Sequence, residues 1–117
     1  MSEKVLIVDD NNIFSRVIKD ELQIFGHETE TVSNGVDALL RYIDGGIDIV
    51  VMDVMMPKLS GIDAMRIIKK IDPAAKVVVI TGNPNDILRK EAADMEALEF
   101  LIKPFSLKSL IQIIKAA

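Results

Sequence analysis

Short apolar runs alternate with longer stretches of helical period along this chain. Val5-Leu6-Ile7-Val8 is the first run. Behind it Phe14, Val17, Ile18, Leu22 and Phe25 recur at spacings of three and four, the mark of one buried helix face, and Gly26 follows as a C-terminal cap. Glu28–Val32 alternates and reads as an edge strand. Asn34-Gly35 opens a second helix to about Asp44, where Gly45-Gly46 stops it. Asp48–Met52 is a third strand, and Ser60 then caps a helix from Gly61 to about Ile71, with Asp63 placed to return the bond. Val77-Val78-Val79-Ile80 is a fourth strand. Asn83-Pro84 reads as the N-cap and first residue of a helix to about Met95. Phe100-Leu101-Ile102 is a fifth strand, and Ser106 caps a last helix with Leu107, Leu110, Ile111 and Ile114 on one side. Strands that are apolar at consecutive positions suit burial on both faces of a parallel sheet. Five β–α units joined by right-handed crossovers predict a doubly wound α/β fold with helices on both sides.

In such a sheet, ligands bind beyond the carboxyl ends of the strands. Asp9-Asp10 follows the first run, Asp53 the third, Thr81-Gly82 the fourth and Lys103-Pro104 the fifth. The second run is followed by nothing distinctive. Each residue has an ordinary reading: Asp10 as a helix cap in place of Asn11 or Asn12, Thr81 as a turn residue, Lys103 as a solvated side chain. Their convergence on one edge argues for a shared site. Two carboxylates ~4 Å apart repel by about 4 kcal/mol at an effective dielectric near 20. Lys103 offsets part of this, and a divalent cation offsets more. Oxygen donors alone point to Mg²⁺, held by Asp10, Asp53, Asp9 through a water, and one backbone carbonyl. The same set suits phosphoryl transfer, which asks for charge neutralisation and positioning. Asp53 would be the nucleophile and form an acyl phosphate, with Lys103 and Mg²⁺ at the phosphoryl oxygens and Thr81 donating a hydrogen bond.

Composition narrows the classes further. The 117 residues suit one domain, residues 1–117, with no linker or repeat. The net charge is −4 and no basic stripe appears, which argues against direct nucleic-acid binding. The absence of Cys excludes disulfides and thiol chemistry. A single His excludes a multi-histidine metal cluster and a Ser-His-Asp triad, and His27, just after Gly26, reads as a structural surface residue. No stretch nears the ~20 apolar residues of a membrane span, and no signal peptide is visible. A cytoplasmic location is expected.

Four motifs in order, "VLIVDD", "VVMDVMMPKLSG", "VVVITG" and "FLIKPF", resemble the receiver domain of two-component response regulators, in particular its stand-alone single-domain type. The resemblance covers the whole chain. It implies a flavodoxin-like (βα)5 fold with strand order 2-1-3-4-5. It makes Asp53 the phosphoacceptor, supplied by a histidine kinase or histidine phosphotransfer protein. Asp9 and Asp10 become the acidic metal pair, and Met55 lends its backbone carbonyl to Mg²⁺. Thr81 and Phe100 would rearrange together on phosphorylation, and the peptide before Pro104 would be cis. Such a protein catalyses only its own phosphorylation and dephosphorylation, acts on a downstream protein target, and can form a phosphorylation-dependent homodimer.

The chain departs from the family's pattern in places. Glu96-Ala97 stands where Gly-Ala is common, which predicts an irregular helix end. Phe100 lacks the hydroxyl of a Tyr. Met55, two residues after Asp53, and Asn83, two after Thr81, would flank the phosphoryl group. A thioether aligns water poorly, so slow self-dephosphorylation is expected. Ile13 and Ile24 lie off the first helix's main stripe, and Ile113 off the last helix's. Ile13 would then contact a phosphodonor, and Ile113 a dimer or target face.

Other classes fit less well. An aspartate-nucleophile phosphatase for small molecules could use the same Asp, Thr, Lys and Mg²⁺, but it would want a second Asp where Met55 stands, and a cap. A nucleotide or flavin binder would want a glycine-rich loop in place of "DDNNIF". A silent scaffold would have no need of the Asp53–Lys103 set.

Overall fold

Local signals set the boundaries of each element. The computed structural model describes residues 3–54 and 60–117. Strand β1 is Lys4–Val8, β2 Glu28–Val32, β3 Ile49–Asp53, β4 Val77–Thr81 and β5 Glu99–Ile102. Helix α1 is Asn12–Ile24, α2 Gly35–Ile43, α3 Gly61–Ile71, α4 Asp86–Asp94 and α5 Leu107–Ala116. Every helix starts at a side-chain cap. Asn11 accepts from the Ile13 and Phe14 amides, Asn34 from Asp37, Ser60 from Asp63, Asn85 from Leu88 and Ser106 from Ser109. Asn85, not Asn83, is the α4 cap, because it is the Asn85 side chain that accepts the Leu88 amide, at 2.8 Å, while the Asn83 amide bonds back to Thr81 Oγ1 at 3.1 Å. The chain therefore runs two residues further before it coils.

Two helix ends close in the same way on different residues. After α1, Gly26 takes φ +87°, and the Gly26 and His27 amides bond back to the Gln23 and Leu22 carbonyls. After α4, Glu96 takes φ +59°, and the Glu96 and Ala97 amides bond back to Ala93 and Ala92. The expected irregular end is thus a complete Schellman closure, with a Glu held where Gly is favoured. A left-handed conformation at a non-glycine residue costs on the order of 1 kcal/mol.

The strands form one parallel sheet in the order β2-β1-β3-β4-β5, as the resemblance implies. Alternate strand residues feed two half-cores. Leu6, Val8, Val50, Met52, Val77 and Val79 pack with Ala38, Met65, Ile68 and Ala92 of α2, α3 and α4. Val5, Ile7, Ile49, Val51, Val78 and Ile80 pack with Ile18, Leu22, Leu110 and Ile114 of α1 and α5. β1, β3 and β4 lie wholly in the interior apart from the first residue of β1. β5 differs from the expectation of burial on both faces. It pairs only with β4, and its residues are exposed or half-buried.

Three other expectations change. Val17 on α1 and Phe25 at its C-cap are 47% and 49% exposed, while Ser15 is buried, so the inward face is rotated from the apolar stripe. Ile113 is half-buried against the α1/α5 core and is not an exposed contact. His27 is 4% exposed, because its Nδ1 accepts the Glu3 amide at 3.1 Å and the ring is drawn inward. Ile13 and Ile24 are exposed at 80% and 75%, as expected.

Polar ties hold the outer elements. Arg41 of α2 grips Glu30 of β2 through two 2.8 Å bonds, and Lys4 joins Glu30 at 3.0 Å. The Arg41 and Lys4 bonds hold the Glu30 carboxyl down at about 2. Tyr42 donates to Asp72 at 2.7 Å, joining α2 to the end of α3. Burial first, then the Asp72 carboxylate, push the Tyr42 hydroxyl up to about 12. Among the described residues, no helix is long and apolar enough to cross a membrane.

Candidate functional site

The carboxyl ends of β1, β3, β4 and β5 bring residues from distant parts of the chain to one rim. Asp9 is the first residue beyond β1 and Asp53 the last of β3. Asp9 has a fully buried side chain, and the Asp53 side chain is 7% exposed. Asp9 Oδ1 accepts the Asn11 amide at 2.9 Å, which ties the acid to the start of α1. Lys103, the first residue beyond β5, donates from Nζ to Asp9 Oδ2 at 2.7 Å and to Asp53 Oδ2 at 3.2 Å. Asp10 is exposed, yet one oxygen each from Asp9, Asp10 and Asp53 lie within 4.8 Å of one another.

The Lys103 ammonium sits between opposing influences. Partial burial lowers its proton affinity, but the bond to Asp9 and the charges of Asp53 and Asp9 outweigh it and hold the ammonium above its ordinary pKa. It is therefore a fixed cation at neutral pH. Among the described residues, three carboxylates face one ammonium at this rim. An all-oxygen acidic set of this size fits a hard cation and is unsuited to a soft one.

Thr81 ends β4 and is fully buried. Its hydroxyl oxygen accepts the Asn83 amide at 3.1 Å, and its carbonyl accepts the Lys103 amide at 2.8 Å. The hydroxyl proton remains for a group at the rim. The Lys103–Pro104 peptide is cis, as the resemblance implies. Phe100 lies half-buried on the α2/α3/α4 side, with the Arg89 guanidinium 4.7 Å from its ring centre. Met55 and Pro57 lie outside the described residues.

Two contributors are hard to read from the sequence. A Cβ on Gly61 would overlap the Asp53 carbonyl oxygen and come within 2.6 Å of Val54 Cα. The Gly61 amide donates to the Val54 carbonyl at 3.3 Å. The start of α3 is thus pressed against the backbone that carries Asp53. Phe14 looks like one member of a core stripe, but its ring centre lies 4.2 Å from Lys103 Nζ. No spacing rule points to that contact, because the two residues meet only through the fold.

Comparison with known proteins agrees with this geometry. Residues 5–115 match the family model described as response regulator receiver domain. The chain is 36% identical to the chemotaxis protein CheY of Thermotoga maritima over 113 residues, covering 96% of this chain and 94% of that protein. It spans about a quarter of the length of the transcriptional regulator NtrC of Azospirillum brasilense, and about half that of other longer relatives. Response regulator TrrA from Thermotoga maritima, solved in complex with Mg²⁺-BeF, is 31% identical with a TM-score of 0.86, covering 97% of each chain. A CheY-like receiver domain from Methanospirillum hungatei shares the fold at a TM-score of 0.94 and 22% identity, covering 99% of this chain and 93% of that one. These findings lend no support to a small-molecule phosphatase.

Proposed function

Because the chain belongs to the response regulator receiver domain family, whose members are phosphoacceptor signalling modules, we propose that Asp53 is its phosphoacceptor. The observation that carries this reading is the Lys103 ammonium held between Asp9 and Asp53 beside a third carboxylate. An Asp53 oxygen attacks the phosphorus of a phosphohistidine on a histidine kinase or histidine phosphotransfer protein. The P–N bond breaks, the imidazole leaves with its electron pair, and an acyl phosphate remains on Asp53.

Asp9, Asp10 and Asp53 would hold Mg²⁺, with the Met55 carbonyl as a further donor. When bound, the ion neutralises charge on the phosphoryl oxygens. Lys103 exchanges one carboxylate contact for a phosphoryl oxygen, and the Thr81 hydroxyl donates to another. Thr81 and Phe100 then shift together and alter a partner-binding face, read by a downstream protein or by a second phosphorylated copy. The chain catalyses only its own phosphorylation and dephosphorylation, in the cytoplasm. Nucleic acid and membrane have no direct part.

Incubation with acetyl phosphate and Mg²⁺, followed by intact and peptide mass spectrometry, tests the reading. The expected result is one phosphoryl group on Asp53, absent from Asp53→Ala. Label on another residue, or label that persists in Asp53→Ala, would overturn it. The Met55 thioether cannot align a water, so Met55→Asn should lose phosphate several-fold faster than the wild type. Equal or slower loss would count against that role.

A further inference from the structure

We infer that Phe14 is a positioning residue for Lys103, and that its aromatic face sets how well the ammonium serves phosphoryl transfer. The inference rests on the reading of Asp53 as phosphoacceptor. Three observations carry it. The Lys103 Nζ lies 4.2 Å from the Phe14 ring centre, well inside the range in which a cation is attracted to a π face. Two of the ammonium's bonds go to Asp9 and Asp53. The Phe14 ring is itself held edge-on by Phe105, with centroids 5.7 Å apart and planes at 87°.

The arrangement closes a loop through the fold. Phe14 belongs to the first turns of α1, whose cap Asn11 also donates its amide to Asp9. Phe105 follows the cis Lys103–Pro104 bond. The ring that faces the ammonium is thus braced by the segment that carries the lysine. Hydrogen bonds to carboxylates are directional, and the ammonium's set of partners changes when a phosphoryl oxygen arrives. Attraction to a ring face is broad in angle. It holds the charge at the rim while the partners change.

A residue of equal bulk without the π face would keep the packing and lose this restraint. Phe14→Leu is expected to fold, since both side chains are apolar and near in size. Its phosphorylation by acetyl phosphate should be about three- to tenfold slower than the wild type. Phe14→Tyr keeps the face and should restore most of the rate. A spectroscopic signature separates positioning from packing: the Lys103 ε-methylene proton resonances should be shifted upfield by the ring in the wild type and in Phe14→Tyr, and return to ordinary values in Phe14→Leu. If Phe14→Leu fails to fold, site-specific replacement of Phe14 by a fluorinated phenylalanine weakens the face with little change of shape, and the same slowing is expected.

Equal rates in wild type and in Phe14→Leu, or in wild type and the fluorinated protein, would overturn the inference. So would equal loss in Phe14→Leu and Phe14→Tyr, or ordinary Lys103 resonances in the wild type. A wild type that takes no phosphate on Asp53 would overturn the functional reading instead, and the resonance measurement would still decide whether ring and ammonium meet.

Discussion

The Lys103 ammonium lies closer to Asp9 than to Asp53, at 2.7 Å against 3.2 Å. The acid just beyond β1 takes the shorter bond and the one that ends β3 the longer. Lys103→Met would leave the carboxylates without this counter-charge. In metal-free buffer it should lose about 2 kcal/mol, less than a fully buried pair because Lys103 is partly solvated. Added Mg²⁺ should raise the urea midpoint of this variant more than that of the wild type. Asp10→Asn should show the reverse pattern, gaining about 1 kcal/mol without metal and responding less to Mg²⁺. Equal Mg²⁺ responses in all three proteins would mean that the cluster does not hold the ion.

Gly61→Ala tests the contact between α3 and the backbone of β3. The added methyl meets the Asp53 carbonyl and Val54 Cα, and backbone atoms yield poorly. A loss of about 2 kcal/mol in chemical denaturation is expected. The phosphorylation rate should fall too, because the displaced backbone carries Asp53, the proposed acceptor. A variant as stable and as active as the wild type would show that this approach is not tight.

Glu96→Gly should stabilise the protein. Glu96 occupies φ +59° at a closure whose two return bonds do not need its side chain. Relief of the strained backbone, reduced by glycine's freedom in the unfolded chain, leaves about 0.5–1 kcal/mol. Thermal unfolding should move up by roughly 2–5 °C. Glu96→Ala keeps the strain and should show no such gain.

Acid stability should depend on Glu30. Its folded pKa of about 2 lies below the ordinary 4.5, with the Arg41 bond the main cause and Lys4 the next. An unfolded Glu30 takes up a proton as pH falls through about 4.5, while the folded one resists until about 2. Its contribution is therefore present above pH 4.5 and lost on the way down to 2. Water reaches the pair, so the amount is below about 1 kcal/mol. Urea midpoints measured across that range should fall less steeply in Glu30→Gln than in the wild type.

Much of this site was legible because the chemistry of a parallel sheet repeats. Each apolar run announces a strand, and the residue just beyond it must lie at the same rim. That rule alone brings Asp9, Asp10, Asp53, Thr81 and Lys103 together. It also anticipates the edge position of β2, with its alternating ETETV. What escaped depends on neighbours that no local pattern encodes. β5 reads as apolar as β4, yet its place at the edge leaves it half-exposed. Pro84 suggested a helix start, but the cap that forms is the Asn85 side chain on the Leu88 amide. His27 is polar and follows a glycine, yet the Glu3 amide draws it inside. Phe14 was legible as apolar, but its meeting with Lys103 exists only after α1 and β5 have docked.

Side-chain parity along the strands gives the sheet a second role. Asp9 and Asp53 fall in phase with Ile7 and Val51, which face α1 and α5; Lys103 falls in phase with Leu101 on that side. Thr81 falls in phase with Val79, and Phe100 lies among the same neighbours on the opposite side. The sheet is thus a septum, with ionic partners on one side and the half-buried aromatic on the other. The charged groups and Phe100 thus lie on opposite faces, and at the rim the Lys103 amide donates to the Thr81 carbonyl, so the ends of β4 and β5 are joined where the two compartments meet.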